Sequence, residues 1–344
     1  MTRHAIRSHP YNAETPAPVL AEAVTPVSSH YVRSNFERPA LSPGTFRLDV
    51  DGLVDRLLTL DLDALHAYAA HDLVVTMECA GNDRLGMQPL PVGEPWASGA
   101  LGTAQWGGVR VRDVLAAAGV QANAREVVFT GADRGPRADS TDNADVVFQR
   151  ALPLDVALHE DTLLATRMNG APLPAEHGAP VRLLVPGWYG MASVKWLRAL
   201  TVVEQPFTGY FHQQRYVYDE GGVARPVTRM RVKSCITTPA ADARVTGEVI
   251  EVRGWAWSGD GPIVRVELRA TGADGGAEAE LGTPAGPHAW TPWSYAWRPA
   301  HPGRIVLQSR ATDASGAVQP DAVTWNRLGY GNNAVRPHLV SVLD

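Results

Sequence analysis

The chain has 344 residues, 45% hydrophobic and 19% charged, a length that suits about two domains and a composition that excludes a disordered or fibrous chain. Lys+Arg 31 against Asp+Glu 36 gives a net charge of -5, without the basic excess that a nucleic-acid or anionic membrane partner would favour. Two cysteines, Cys79 and Cys235, are too few for a disulfide scaffold or a zinc cluster.

Residues 1–30 are rich in Pro, Ala and Thr without periodicity and read as an extended N-terminal arm with little chemistry of its own. Pro10, Glu14, Pro16, Pro18 and Glu22 interrupt every short apolar patch there, so no signal peptide is expected, and no run of transmembrane length follows. The expectation is a cytoplasmic protein with unpaired thiols. From about residue 45 to 205, strand-like runs (Leu73 to Met77, Arg125 to Thr130, Leu163 to Met168, Val181 to Val185) alternate with helical ones (Asp61 to Ala70, Val111 to Ala118). This predicts a mixed α/β or α+β domain over 31–230. An irregular stretch, Phe207 to Pro226, and a strand-like run, Thr228 to Ile236, suggest the crossing to a second domain. Beyond it, Glu248 to Ala256, Ile263 to Ala270 and Arg304 to Ala311 are separated by turns such as Gly259-Asp260-Gly261 and Asp274-Gly275-Gly276. Short strands at this spacing predict a β-sandwich over 231–344, immunoglobulin-like in architecture only, since no Cys…Trp…Cys framework is present. Trp255, Trp257, Trp290, Trp293 and Trp297 fall in β runs, where packing is expected rather than a carbohydrate-binding face.

The segment Val75 to Arg84 carries the most chemical information. A strand ends at Cys79, and Ala80-Gly81-Asn82 follow, small turn-forming residues that let a backbone approach something closely. An arginine beside a thiol favours the thiolate, the form required of a nucleophile or a soft-metal ligand. A buried structural cysteine before a turn is the alternative reading.

Cys79-Ala80-Gly81-Asn82-Asp83-Arg84 resembles the cysteine motif of the sulfite oxidase family of molybdenum enzymes. Further matches follow in family order: Tyr31-Val32-Arg33-Ser34-Asn35, Trp96 with Ser98-Gly99-Ala100, Thr103 to Val109, Met168-Asn169-Gly170, His177 to Arg182, Pro186-Gly187 and Val194-Lys195-Trp196-Leu197. The resemblance runs from about Tyr31 to the C-terminus. It implies a molybdopterin-binding domain over 31–230 and a dimerisation sandwich over 231–344, with one molybdenum per chain held by a pterin dithiolene and by Cys79. By the same resemblance Asn35, Asp133, His177, Arg182 and Lys195 bind the cofactor, and Arg33, Arg84, Trp96 and Tyr216 form the substrate pocket. Arginine outnumbers lysine 29 to 2, so a lysine at 195 suggests a need for a compact ammonium. Two guanidinium groups can hold an oxyanion through charge-assisted hydrogen bonds, and a phenol can donate to a transferring oxygen. Cys235 is expected to pack.

Three departures from the family pattern bear on specificity. Asp83 replaces the first residue of the family's Arg-Arg pair and should weaken the positive field. Asn35 stands where many relatives have histidine. The family's third substrate arginine falls in Trp-Asn-Leu-Arg-Gly, whereas here Trp325-Asn326-Arg327-Leu328-Gly329 moves it by one place, which reverses its direction in a strand but leaves it within reach in a loop. His301-Pro302-Gly303-Arg304 resembles a haem-domain turn but sits between predicted strands, and no Cys-x-x-Cys-His occurs. No haem is expected, and electrons should leave to a separate acceptor. The implied reaction is sulfite oxidation by a homodimer. A related enzyme acting on another oxyanion or an S- or N-oxide, a Cys79–His177 hydrolase, and a non-enzymatic binding module are the alternatives.

Overall fold

The computed structural model describes residues 1–137, 144–220, 223–272 and 275–344; Asp274 of the second turn signal lies outside the described residues. Two five-stranded sheets build the first domain. One is antiparallel and runs Ala171–Pro172, Leu163–Met168, Leu101–Arg110, Ala70–Glu78, with Arg182–Leu184 also paired to Leu163–Met168. Its two central strands, Leu101–Arg110 and Leu163–Met168, are buried along nearly their whole length. Strands covered on both faces read as apolar runs without alternation, which is why Leu163 to Met168 is legible in the sequence.

The other sheet runs Leu58–Leu60, Leu48–Gly52, Leu197–Val203, Glu126–Pro136, Asp145–Pro153, with one parallel pairing, between Leu48–Gly52 and Leu197–Val203. Helix Val111–Ala118 buries Val111, Val114, Leu115 and Ala118, the i, i+3, i+4, i+7 face, and ends at Gly119 with φ 76°. The helix expected over 61–70 is confined to Leu62–His66. From Ala70 onward the chain joins the Leu101–Arg110 strand, and the ladder overrides the local helical preference.

The second domain is a sandwich of a four-stranded sheet (Lys233–Thr238, Ile250–Trp257, Thr291–Trp297, Glu280–Leu281) and a five-stranded one (Arg244–Val245, His338–Val342, Gly303–Asp313, Ile263–Ala270, Ala277–Glu278). Gly303–Asp313 alternates buried and half-buried positions, as a strand with one face on the core must. Trp293 and Trp297 fill that core, and Trp255 stacks on Trp290 at 4.8 Å. Strand Lys233–Thr238 starts later than the run expected from Thr228, and the irregular stretch holds helix Tyr210–Gln213 and the hairpin Val217–Glu220/Val223–Pro226. His301 lies exposed in a bend leading into Gly303–Asp313.

The first thirty residues depart most from expectation. They fold as a hairpin, His4–Ser8 with Tyr11–Glu14, and dock. Ala13 and Val32 exchange backbone hydrogen bonds at 2.9 Å, and the indoles of Trp255 and Trp290 donate to the Leu20 and Ala23 carbonyls at 2.7 and 3.0 Å. A composition poor in periodic apolar residues conceals this, because the anchoring is through backbone and indole hydrogen bonds.

Candidate active site

Strand Ala70–Glu78 delivers Cys79 to the edge of a tight turn. Cys79 N–H donates to the Ala100 carbonyl at 2.8 Å, and Asn82 N–H closes the turn on the Cys79 carbonyl at 2.9 Å. The Asn82 side chain braces both strands: its Oδ1 accepts from Ala100 N–H at 3.1 Å and its Nδ2 donates to Glu78 Oε1 at 2.9 Å. Gly81 has no room for a side chain, since a Cβ there would lie 2.5 Å from Arg84 Nη2. Cys79 packs with Tyr31, Met77 and Trp96 and lies on the wall of a cavity. Burial pushes its thiol pKa up, opposed by the Arg33 and Arg84 charges and the Gly81 N–H. The free thiol therefore stays protonated, and a bound metal would deprotonate it.

One side of the cavity gathers Asp133, His177, Arg182 and Lys195, four of the five residues expected to bind the cofactor. Gly178 makes this possible: its φ of 110° disfavours any side chain, and a Cβ would come within 2.9 Å of Lys195 Cβ and 3.1 Å of Arg182 Cβ. Lys195 Nζ donates to Ser34 Oγ at 3.0 Å and the Glu176 carbonyl at 2.9 Å, over the Trp196 ring. Arg182 directs its donors to the carbonyls of His177 (2.9 Å) and Ser193 (3.0 Å), so it shapes this wall as well as charging it. Burial and the neighbouring Arg182 hold the Lys195 pKa well below the usual lysine range, against the pull of Asp133. Burial also raises the Asp133 carboxyl to about 6, against Lys195 and Arg33. Asp133 Oδ1 is buried with no hydrogen-bond partner among the described residues.

The other side presents Arg33, Asn35 and Tyr216. Arg33 Nη2 donates to Asn35 Oδ1 at 2.7 Å, and Asn35 Nδ2 donates to the Tyr216 hydroxyl at 3.2 Å. Asn35, expected at the cofactor, thus bridges two substrate-side residues. Asn12 of the docked hairpin holds this segment, accepting from Ser34 N–H at 2.7 Å and Arg33 Nη1 at 3.3 Å. Tyr216, on the cavity wall, has φ 47°, and Trp196, next in sequence to Lys195, has φ 52°, left-handed backbone that is strained for bulky residues.

Arg84 and Trp96 are not brought to the cavity wall. Arg84 is buried, donating to the carbonyls of Glu94 (2.5 Å) and Leu328 (3.0 Å) beneath the Tyr330 ring, so its guanidinium ties three loops together. Trp96 is fully buried behind Cys79. Arg327 sits in a loop, as one reading of its shift allowed, but is exposed and paired with Asp219 at 3.2 Å. Asp83 does not face the cavity: with φ 63° it turns to Lys233 at 2.7 Å and to Arg336, which neutralise it. Its expected weakening of the positive field is thereby removed.

Sequence reasoning missed His30, Arg3 and Lys233. His30 stacks on Tyr31 and meets the His177 ring edge-on at 5.4 Å. Arg3 Nη2 lies 3.1 Å from His177 Nε2 and 3.2 Å from Glu176. The arm that holds the first two carried no periodic signal; Lys233 was visible only as one of two lysines in the chain. Cys235 is half-buried against the core, and burial raises its thiol to about 11.

The donor set fits a metal–pterin group. Among the described residues no cluster of three or more His, Cys, Asp or Glu could hold a metal ion, so a metal at Cys79 needs ligands that a cofactor brings. The unpartnered Asp133 Oδ1 can accept from a heterocyclic N–H, and Lys195 and His177, on the same cavity wall, can donate to an anionic group.

Comparison with known proteins bears on this arrangement. Residues 35–211 match the oxidoreductase molybdopterin binding domain, and 224–341 the Mo-co oxidoreductase dimerisation domain. Rat mitochondrial sulfite oxidase is 36% identical over 353 residues, covering 94% of this chain and 63% of that protein. Chicken sulfite oxidase is also 36% identical, over 94% of this chain and 75% of that one. The NADH nitrate reductase of Ulva prolifera is 31% identical, over 95% and 42% respectively. Among solved structures, the sulfane dehydrogenase SoxCD of Paracoccus pantotrophus superposes with a TM-score of 0.85 at 29% identity, covering 97% of this chain and 85% of that one.

Proposed function

Because the chain belongs to the sulfite oxidase family of molybdopterin-dependent oxidoreductases, we propose that it oxidises sulfite to sulfate and passes the electrons to a separate acceptor. Sulfite and water become sulfate, releasing two electrons and two protons. The observation that carries the reading is Cys79 on the wall of one cavity, with Lys195, His177 and Asp133 on one side and Arg33, Asn35 and Tyr216 on the other. When bound, the molybdenum–pterin group supplies the oxygen-atom transfer and the two-electron redox chemistry.

The protein's own part is position and electrostatics. Cys79 supplies the single protein ligand. Lys195 and His177 would hold the anionic part of the cofactor, and Asp133 Oδ1 would be free to accept a hydrogen bond from it. Arg33 binds the substrate anion from the cavity wall, oriented by Asn35. The Tyr216 hydroxyl, held by the same amide, donates to a substrate oxygen and keeps it aligned. Stacking of Tyr216 on Tyr330 at 5.2 Å limits water on that side.

A second reading follows from the positions of Arg84 and Arg327. With Arg33 the one guanidinium among the substrate-side residues of the cavity, the pocket is less committed to a doubly charged anion, and a different sulfur species or nitrate becomes a candidate substrate. The sandwich would pair two copies into a homodimer, each with one molybdenum and no haem. The test is metal analysis of protein made in a pterin-producing host, with reduction of an artificial acceptor by sulfite, thiosulfate and, in reverse, oxidation of a reduced dye by nitrate. Stoichiometric molybdenum with sulfite-dependent turnover is expected, both absent in Cys79→Ser; folded protein without molybdenum overturns the proposal. Light scattering at the mass of one chain would overturn the dimer.

A further inference from the structure

The chain contains 29 arginines and two lysines: Lys195 is half-buried on the cavity wall, and Lys233 is buried against the residues that flank the Cys79 turn. Lys195 belongs to the site described above. Lys233 does not: it opens the first strand of the sandwich and projects back into the catalytic domain. Its ammonium is 3% exposed and has three acceptors, Glu78 Oε1 at 2.8 Å, Asp83 Oδ2 at 2.7 Å and the Asn332 carbonyl at 2.9 Å. Those acceptors use all three N–H donors of an ammonium, a task that a planar guanidinium fits poorly.

Glu78 and Asp83 flank the turn Cys79–Asn82 on both sides, so one cation clamps its two ends. Residues of the sandwich and its C-terminal segment complete the clamp. Trp257 Nε1 donates to Glu78 Oε2 at 3.0 Å, Asn332 Nδ2 donates to the Asp83 carbonyl at 2.9 Å, and Arg336 pairs with Asp83. Gly331 N–H donates to the Ala80 carbonyl at 2.7 Å inside the turn itself. Two carboxylates meet two cations, so the buried cluster is neutral, and Asp83 is accounted for by Lys233.

We propose that Lys233 is a positioning residue, through which the sandwich sets the Cys79 turn and so the placement of the metal-binding sulfur. The proposal rests on Cys79 ligating molybdenum, as argued above. Removing the ammonium leaves Asp83 with Arg336 but Glu78 buried without a cation, held only by the Asn82 and Trp257 N–H donors, so that end of the turn shifts or admits water. Removing the Glu78 charge at the same time, by Glu78→Gln, restores neutrality and leaves Asp83 paired with Arg336.

The test compares wild type, Lys233→Met and the double variant Lys233→Met/Glu78→Gln, all produced with cofactor. The readouts are molybdenum per chain, the rate of molybdenum loss on dialysis, and the visible thiolate-to-metal absorption, which reports sulfur placement and which a purely structural role would leave unmoved. Lys233→Met is expected to lose molybdenum about tenfold faster, with a shifted absorption, and the double variant to recover most of both. A Lys233→Met protein with wild-type retention and absorption overturns the proposal. So does a double variant as impaired as the single one, since the uncompensated Glu78 charge would then not be the cause. If Lys233→Met does not accumulate, Asp83→Asn alone carries the test, with a smaller shift expected and an unchanged absorption overturning it. Wild-type protein without molybdenum would remove the proposed function and this inference together, whereas loaded wild type with unchanged variants removes this inference alone.

Discussion

The two sides of the cavity are assembled differently. The cofactor side is drawn largely from His177 to Lys195, where a left-handed glycine and short backbone hydrogen bonds fold the segment onto itself. The substrate side is drawn from Arg33, Asn35 and Tyr216, with Arg84, Leu328 and Tyr330 packed behind it, joined by hydrogen bonds that span up to 244 positions. Motif spacing describes the first well because the chain's own geometry enforces it. It describes the second poorly, since whether an arginine faces the cavity depends on which distant carbonyl its donors meet.

The sharpest way to break this comparison is to contrast the two arginines. Arg84→Ala leaves the Glu94 and Leu328 carbonyls without a buried donor and opens a cavity, and should destabilise the fold by about 3 kcal/mol with a modest change in KM. Arg33→Ala, whose guanidinium borders the cavity, should raise KM by about tenfold to a hundredfold with less loss of stability. Denaturant midpoints and steady-state kinetics on the pair check this; a larger KM change in Arg84→Ala would return that residue to the pocket.

On the cofactor side, burial lowers the His30 pKa from 6.5 to about 4. The folded state then binds fewer protons than the unfolded one between those values, so stability is lost as pH falls from 6.5 to 4, by up to about 3 kcal/mol. Asp133, raised to about 6, acts in the opposite sense as pH rises from 3.8. The difference in unfolding free energy between wild type and His30→Asn, followed across this range, isolates the histidine: its contribution should fall on acidification and stay constant above pH 7.

Lys195 tests the same side through ligand binding. Its pKa is depressed in the empty cavity, and an anionic group beside it would raise it, so binding takes up a proton. Cofactor affinity of the empty protein should fall as pH rises, and Lys195→Met should flatten that dependence while weakening binding by about 2 kcal/mol. Calorimetry in buffers of different ionisation enthalpy measures the proton directly. The smallest effect belongs to Arg327→Ala: its guanidinium pairs with Asp219 on the surface, and both stability and KM should change by less than about 0.5 kcal/mol.

Much of the architecture was legible. Val111–Ala118, Leu163–Met168 and Ile263–Ala270 have the bounds expected of them, because one buried face or two impose a period on the residues. All five residues expected to bind the cofactor, Asn35 among them, line one cavity. The docked N-terminal hairpin was not legible, since Asn12 and Arg3 act through single polar contacts that leave no pattern in composition. The neutralisation of Asp83 was not legible either, because its cationic partners lie 150 or more residues away.

The residues themselves determined the two-part architecture, the family, and a thiol at a glycine turn with an arginine close behind it, all features carried by local pattern and motif order. Only the folded molecule decided which of those charges face the cavity. Burial makes every unpaired donor or carboxylate costly, so each turns toward whatever partner the packing of distant strands supplies. Arg84 therefore points to backbone carbonyls, Asp83 to Lys233, and Arg33 remains at the wall where an anion would bind.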